Sequence, residues 1–328
     1  MKSHKICSGP ALQLSNIWKE SQLHTVLPPR GRLSYIITGC IRTLALTLVG
    51  RVAHVREAHA AGWRVDVYCV IEACTHEERT FAENGGFSRF VHNLSRALWA
   101  DDFIQCDLWN GSITPAFDTP AFRAHHPKYP YTSHHPAFHQ THSWSMYHKF
   151  SLANTMMAMS GRTYSLVWRT RTDVVSTGVH LHSHNLGMYE YVVPPVYNFP
   201  TPWGGTLHTD MEALLSPKAA RHYSAVLDAV PFLYARGVSL GAETLLSAHM
   251  AYGNFTPITE MRMNLYVCFL ACALKRTHAD ACRQYQRCAT PLAQLHEIPC
   301  NPHSFCHQSN RNRSYHDDVL TRLCGPLD

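Results

Sequence analysis

Residues 33–40 read LSYIITGC, a short run with β-branched residues that ends at a glycine and a cysteine. Such a run predicts a buried strand. From Ile41 the period changes. Ile41, Leu44, Ala45, Leu48, Val52 and Val55 recur at helical spacing through residues 41–61, and Gly62 supplies a stop signal. WRVDVYCVIE (63–72) then returns to strand character. A strand, a helix and a second strand with short connections predict parallel pairing and a crossover. The class that follows is α/β, with a Rossmann-type, mostly parallel sheet flanked by helices.

Working outward, residues 75–105 read as helical with an interruption at Gly85–Gly86, and CDLWNG (106–111) reads as a third strand. Residues 112–142 are rich in Pro, His and Thr without periodicity, which predicts a long functional or mobile loop. A helix over 143–160 precedes Gly161 and a strand over 164–175. YEYVVPP (189–195) is another strand, LHTDMEALLSPKAARHYSAVLDAV (207–230) a short strand and a helix, and GAETLLSAHMAY (241–252) a helix with Glu243 in its first turn. The composition changes after about residue 262, so the chain divides into an N-terminal extension (1–30), an α/β domain (31–262) and a Cys-rich C-terminal tail or subdomain (263–328).

With 328 residues, 45% hydrophobic and 16% charged, the chain has a globular composition and room for a large core. Its formal charge of +6 is spread along the sequence without a basic block. That argues against nucleic acid as a partner and is compatible with a phosphorylated ligand. Residues 1–30 show no apolar signal core, so either the protein is not secreted or an anchor lies upstream. MNLYVCFLACAL (263–274) is too short to span a bilayer. Of twelve cysteines, Cys40, Cys69, Cys74 and Cys106 lie mostly beside apolar runs, where free buried thiols are the default. Seven more crowd into Cys268–Cys324 without a CxxC pair, which fits a disulfide-stapled tail better than a zinc ribbon. Sequons at Asn93, Asn110, Asn254 and Asn312 are compatible with secretory passage. Seven of the 24 histidines fall between His125 and His148, and HLHSH (180–184) adds three. These read either as a metal-binding cluster or as a compositional habit of surface loops.

Charged chemistry concentrates elsewhere. In LVWRTRTDVV (166–175), Arg169, Arg171 and Asp173 alternate and so share one strand face. In open α/β sheets ligands sit outside the carboxyl ends of strands. TGCIRT (38–43) offers backbone N–H groups and Arg42 to a phosphate. Asp173 at a strand end can hold a divalent cation, while the arginines either hold phosphate oxygens or pair with that carboxylate. Asp210 and Glu243 are further acids near element starts.

In their order, the G-x-x-R-T loop (39–43), the RTRTD strand (169–173), Asp210 before Ser-Pro-Lys and the late Glu-x-x-Leu (243–246) resemble GT-A-type glycosyltransferase-like proteins with an Arg-x-Arg-x-Asp strand. The resemblance covers roughly residues 33–255. It implies a GT-A-like fold and transfer of a sugar from a nucleotide-sugar donor to a glycan or glycoconjugate acceptor. Asp173 would match the last acid of the Asp-x-Asp motif and ligate Mn²⁺ or Mg²⁺. Arg171 replaces that motif's first acid, so either a cation remains at Asp173 or the arginine itself stabilises the diphosphate. The resemblance places Gly39, Arg42 and Thr43 in the nucleotide pocket, with Arg169 and Arg171 at the diphosphate. Asp210 and Glu243 would bind the acceptor or act as general base. It also implies the Golgi lumen or the extracellular space. Two other readings stand beside it: a non-catalytic surface binding protein on the same fold, and a His-rich metal-binding protein.

Overall fold

The computed structural model describes residues 30–73, 76–98, 100–109, 115–125, 141–176, 186–193, 195–197 and 210–259, with shorter pieces at 113, 131–132, 135–139, 207–208 and 265–267. Residues 1–29 of the proposed extension (1–30), the HLHSH stretch and nearly all of the Cys-rich tail lie outside the described residues, as do 126–130, 133–134 and 140 within the 125–148 histidine stretch.

Strand β1 (Gly31–Cys40) passes without a linker into helix α1 (Ile41–Ala60), and Gly62 at φ +85° turns the chain into β2 (Trp63–Glu72). The two strands are parallel in unbroken register, from Gly31 opposite Trp63 to Cys40 opposite Glu72. Successive β1 residues feed opposite cores. Leu33, Tyr35 and Ile37 pack with Ile41, Leu44 and Val55 of α1, and Ile36 packs on the other face with Trp144, Tyr147 and Phe150. A strand buried on both faces is what a parallel sheet between helix layers requires.

Helix α2 (His76–Phe81) is separated from α3 (Phe87–Leu98) by a kink where Asn84 and Gly85 leave helical geometry, at the expected glycine pair. Helix does not continue to residue 105. Strand β3 (Asp102–Trp109) begins four residues earlier than the sequence pattern indicates. The cause is Asp101, whose carboxylate accepts from Val65 N at 2.7 Å while its own N–H donates to Val65 O at 3.0 Å, locking the chain into the sheet.

Helix α4 (Thr141–Met159) precedes β4 (Leu166–Arg171), which stops at a Thr172–Asp173 turn rather than running to residue 175. Then follow β5 (Glu190–Val193), β6 (Glu212–Leu215), α5 (Pro217–Ser224), α6 (Val226–Ala235), α7 (Ala242–Tyr252) and β7 (Thr256–Thr259). Ser216 caps α5 by accepting from Ala219 N at 3.1 Å, ahead of a proline at the first helical position.

The seven strands lie in the order β7-β5-β6-β4-β1-β2-β3. Only β6 is antiparallel to its neighbours β4 and β5. The α/β class and the mostly parallel, helix-flanked sheet are therefore as expected. Among the described residues no helix is long and apolar enough to cross a membrane.

The free-thiol expectation for the first third is corrected. Register sets Cys69 of β2 opposite Cys106 of β3 with Cα atoms 4.4 Å apart, and the two form a disulfide; Cys40 is disulfide-bonded too. Cys74 lies outside the described residues.

Candidate functional site

Strand topology assembles the site. The carboxyl ends of β1 and β4 lie side by side, with Thr38 paired to Arg171. Because β6 runs the other way, the residues before it arrive at this same edge, where Arg171 N donates to Met211 O at 3.1 Å. Asp210 thereby comes next to Arg171.

The β4 terminus is pinned from both sides. Thr172 N donates to Thr38 O at 2.8 Å, and Thr172 Oγ1 accepts from Cys40 N at 2.9 Å. Gly39 makes this possible. Its φ is +145°, and a Cβ there would stand 1.8 Å from Thr172 Oγ1. From the α1 side, the fully buried Arg51 donates to Thr170 Oγ1 at 2.6 Å, to Arg171 O at 2.7 Å and to Val174 O. The turn carrying Asp173 is thus held by backbone contacts on one side and a guanidinium on the other.

At its centre Arg171 joins two carboxylates. Nε donates to Asp173 Oδ1 at 2.9 Å and Nη2 to Oδ2 at 2.6 Å, a bidentate fork. Nη1 reaches both Asp210 oxygens at 3.3 Å. The Asp173 and Arg171 side chains are 22% and 25% exposed, whereas Asp210 is only 2% exposed, so Asp173 faces solvent and Asp210 backs the pair. Burial would raise the Asp173 pKa, but Arg171 outweighs it and holds the carboxyl below its ordinary value. Glu243 shifts the other way. Burial and the Asp210 carboxylate push it up, against a backbone hydrogen bond in the first turn of α7 and the attraction of Arg171. An acid kept ionised thus stands beside an acid whose proton affinity is enhanced, a division found both at acid–base sites and in structural ion-pair networks.

Behind these groups the site is aromatic. Tyr147 donates to Ala242 O at 2.5 Å at the start of α7, and burial, then Asp210, raises its pKa far above the ordinary value. Tyr223 is pushed up to about 12, mainly by burial, and remains a neutral hydroxyl.

Each residue expected from the sequence can now be placed. Asp173, Arg171 and Asp210 come together, and Glu243 lies within electrostatic reach of Asp210 and Arg171. Arg169 lies beneath the aromatic rings instead of beside Asp173. It is fully buried, its Nη1 is 3.3 Å from Tyr223 Oη, and its guanidinium lies 5.6 Å from the Phe150 ring and 5.7 Å from the Tyr223 ring. Its Nε and Nη2 have no hydrogen-bond partner among the described residues. Its positive charge still acts through space, helping to hold Asp173 ionised. Gly39 serves the close approach of Thr172, while Arg42 and Thr43 fall in the first turn of α1 with side chains outside the described residues.

Among the described residues no group of three His, Cys, Asp or Glu side chains is arranged to hold a metal ion. Asp173 and Asp210 do not fit a divalent cation as they stand, because the Arg171 guanidinium lies against both carboxylates. Sequence reading missed Arg51, Tyr147 and Tyr223. For Arg51 a signal existed, since it falls on the apolar stripe of Leu44, Leu48 and Val55, where a charge needs a buried partner.

No protein-family model matches the sequence, and no curated protein sequence matches it. Among solved structures, the chain is similar to the glycosyltransferase GlyE of Streptococcus pneumoniae TIGR4, with 12% identity, 69% of this chain and 45% of that chain covered, and a TM-score of 0.34. It is also similar to the galactosyltransferase LgtC in complex with donor and acceptor sugar analogs, with 9% identity, 68% and 72% of the two chains covered, and a TM-score of 0.37. The chain thus spans less than half the length of GlyE. Overlaps at this level fix no residue of the site, which rests on its own geometry.

Proposed function

We propose that the chain is a glycosyltransferase, moving a sugar from a nucleotide-sugar donor to a hydroxyl of a glycan or glycoconjugate acceptor. The observation that carries this reading is the convergence of Arg171, Asp173 and Asp210 at the carboxyl edge of the sheet, with Glu243 close enough for Asp210 and Arg171 to act on its charge. The motif order that resembles GT-A-type proteins supports it. Asp173, ionised and partly exposed, accepts hydrogen bonds from the ligand on the lone pairs Arg171 leaves open. Glu243 takes the acceptor hydroxyl proton as that oxygen bonds the anomeric carbon and the bond to the diphosphate breaks. The nucleotide lies over the β1–α1 junction, where the first turn of α1 holds no acid to repel a phosphate. The disulfide between β2 and β3 supports passage through an oxidising compartment, the Golgi lumen or the extracellular space.

A thermal-shift screen with UDP-, GDP- and CMP-sugars tests donor binding. At least one donor should raise Tm in the wild type and not in Asp173→Asn. No shift with any donor would contradict the reading. One observation favours a second reading, a non-catalytic binding module: the Arg171 donors are engaged by carboxylates and Arg169 is buried, so neither arginine is freely presented to a diphosphate. Donor binding without turnover would select it.

A further inference from the structure

Arg171 stands where the resemblance puts the first acid of a metal-binding pair, and its contacts show what that exchange does. The guanidinium gives Nε and Nη2 to Asp173 and directs Nη1 at both oxygens of Asp210. Asp210 is almost wholly buried, so water offsets little of its charge and the guanidinium is its close counter-ion. Burial opposes the Arg171 charge, yet the two carboxylates more than compensate and drive its pKa further above the ordinary value. Arginine is in any case never neutral in this pH range. An incoming divalent cation would have to displace a planar fork that already matches one carboxylate bidentately.

We propose that Arg171 is the resident cation of this site: a covalently attached positive charge that neutralises the Asp173–Asp210 pair in place of a divalent metal, so that the site binds its ligand without one. The proposal deepens the sugar-transfer reading and rests on it only for the identity of the ligand. Neutralisation of the carboxylate pair can be tested without any nucleotide sugar.

The test uses the full chain, titrated with MnCl₂ and followed by the EPR signal of free Mn²⁺, with Tm measured in EDTA and in MnCl₂. Wild type should leave the Mn²⁺ signal undiminished and melt at the same temperature in both. Arg171→Gln should melt lower than wild type in EDTA and recover part of that loss in MnCl₂, and Arg171→Gln/Asp173→Asn should show no recovery. Uptake of Mn²⁺ by wild type that Asp173→Asn abolishes would overturn the proposal. So would an Arg171→Gln variant as stable as wild type in EDTA. If Arg171→Gln does not fold, Arg171→Lys replaces it, expected to fold and to ignore MnCl₂; stabilisation of that variant by MnCl₂ would overturn the proposal. None of these measurements contains a sugar donor, so their failure is distinguishable from failure of the transferase reading.

Discussion

At the scale of single residues, the site depends on a few side chains placed under opposing pressures. Glu243 is pushed above its ordinary pKa by burial and by Asp210, and a base must lose its proton before it can accept one. Turnover should therefore rise with pH along an acid limb set by Glu243. Asp210→Asn, by removing the neighbouring negative charge, should move that limb to lower pH in a kcat-versus-pH profile. An unmoved limb would assign the base elsewhere. Gly39→Ala should cost at least about 2 kcal/mol in denaturant unfolding, because it adds strain at positive φ and a clash with Thr172. Alternation in the sequence singled out Arg169, Arg171 and Asp173, but only the arginines stay in β4; Asp173 lies in the turn after it and is joined to Arg171 by the bidentate fork. What spacing could not carry is depth. Arg169 and Arg171 are two residues apart on the same face, yet one is fully buried beneath the aromatic rings of Phe150 and Tyr223 while the other reaches solvent.

Secondary-structure elements decide which of those residues meet. The antiparallel β6 is the decisive one, because reversing it brings its amino end, with Asp210, to the carboxyl end of β4. A four-residue buried strand carries no mark of its direction, so this pairing was not readable from EALL (212–215). Strand β1, α1 and β2 were readable to within two residues because their period changes at glycines. The break after β4 was not, since it depends on Thr38, Cys40 and Arg51, distant in sequence. Two predictions belong to this scale. The Cys69–Cys106 bridge closes a loop across a sequence separation of 37, and replacing both cysteines by alanine should lower stability by about 2–4 kcal/mol in equilibrium unfolding. Helices α5 and α7 are joined by His222 and His249, stacked at 3.9 Å, each ring Nε2 within 3.0 Å of the other's backbone oxygen. Burial, then His222, lowers the His249 pKa to about 4. The folded state thus favours neutral His249. Its contribution is complete above the unfolded value near 6.5 and is lost as pH falls towards 4, by up to about 3 kcal/mol. A His249→Asn variant should lose this part of the Tm decline between those pH values.

At the scale of the whole molecule, two buried layers clamp one sheet, and the side chains of the candidate site gather at one edge of it. Toward the opposite end, where β1 and β2 begin, charge serves the fold instead. The fully buried Asp66 accepts from Arg32 at 2.8 Å, Arg162 at 3.2 Å and Tyr164 at 2.9 Å, tying together the approaches to β1 and β4. The class of fold was legible because the stretch from β1 through α1 to β2 changes period twice over short connections. The cysteine-rich segment, conspicuous in composition, falls almost wholly outside the described residues, and among the described residues of the histidine-rich stretch no group of three metal-ligating side chains forms. Transfer of a sugar at this carboxyl edge is the proposed function. The most direct measurement is mass-spectrometric detection of glycosylated acceptor and released nucleoside diphosphate or monophosphate, using the donor that raises Tm. Wild type should form both products, while folded Glu243→Gln and Asp173→Asn should form neither above background. Donor binding with no product from wild type, or full turnover by both variants, would contradict the account.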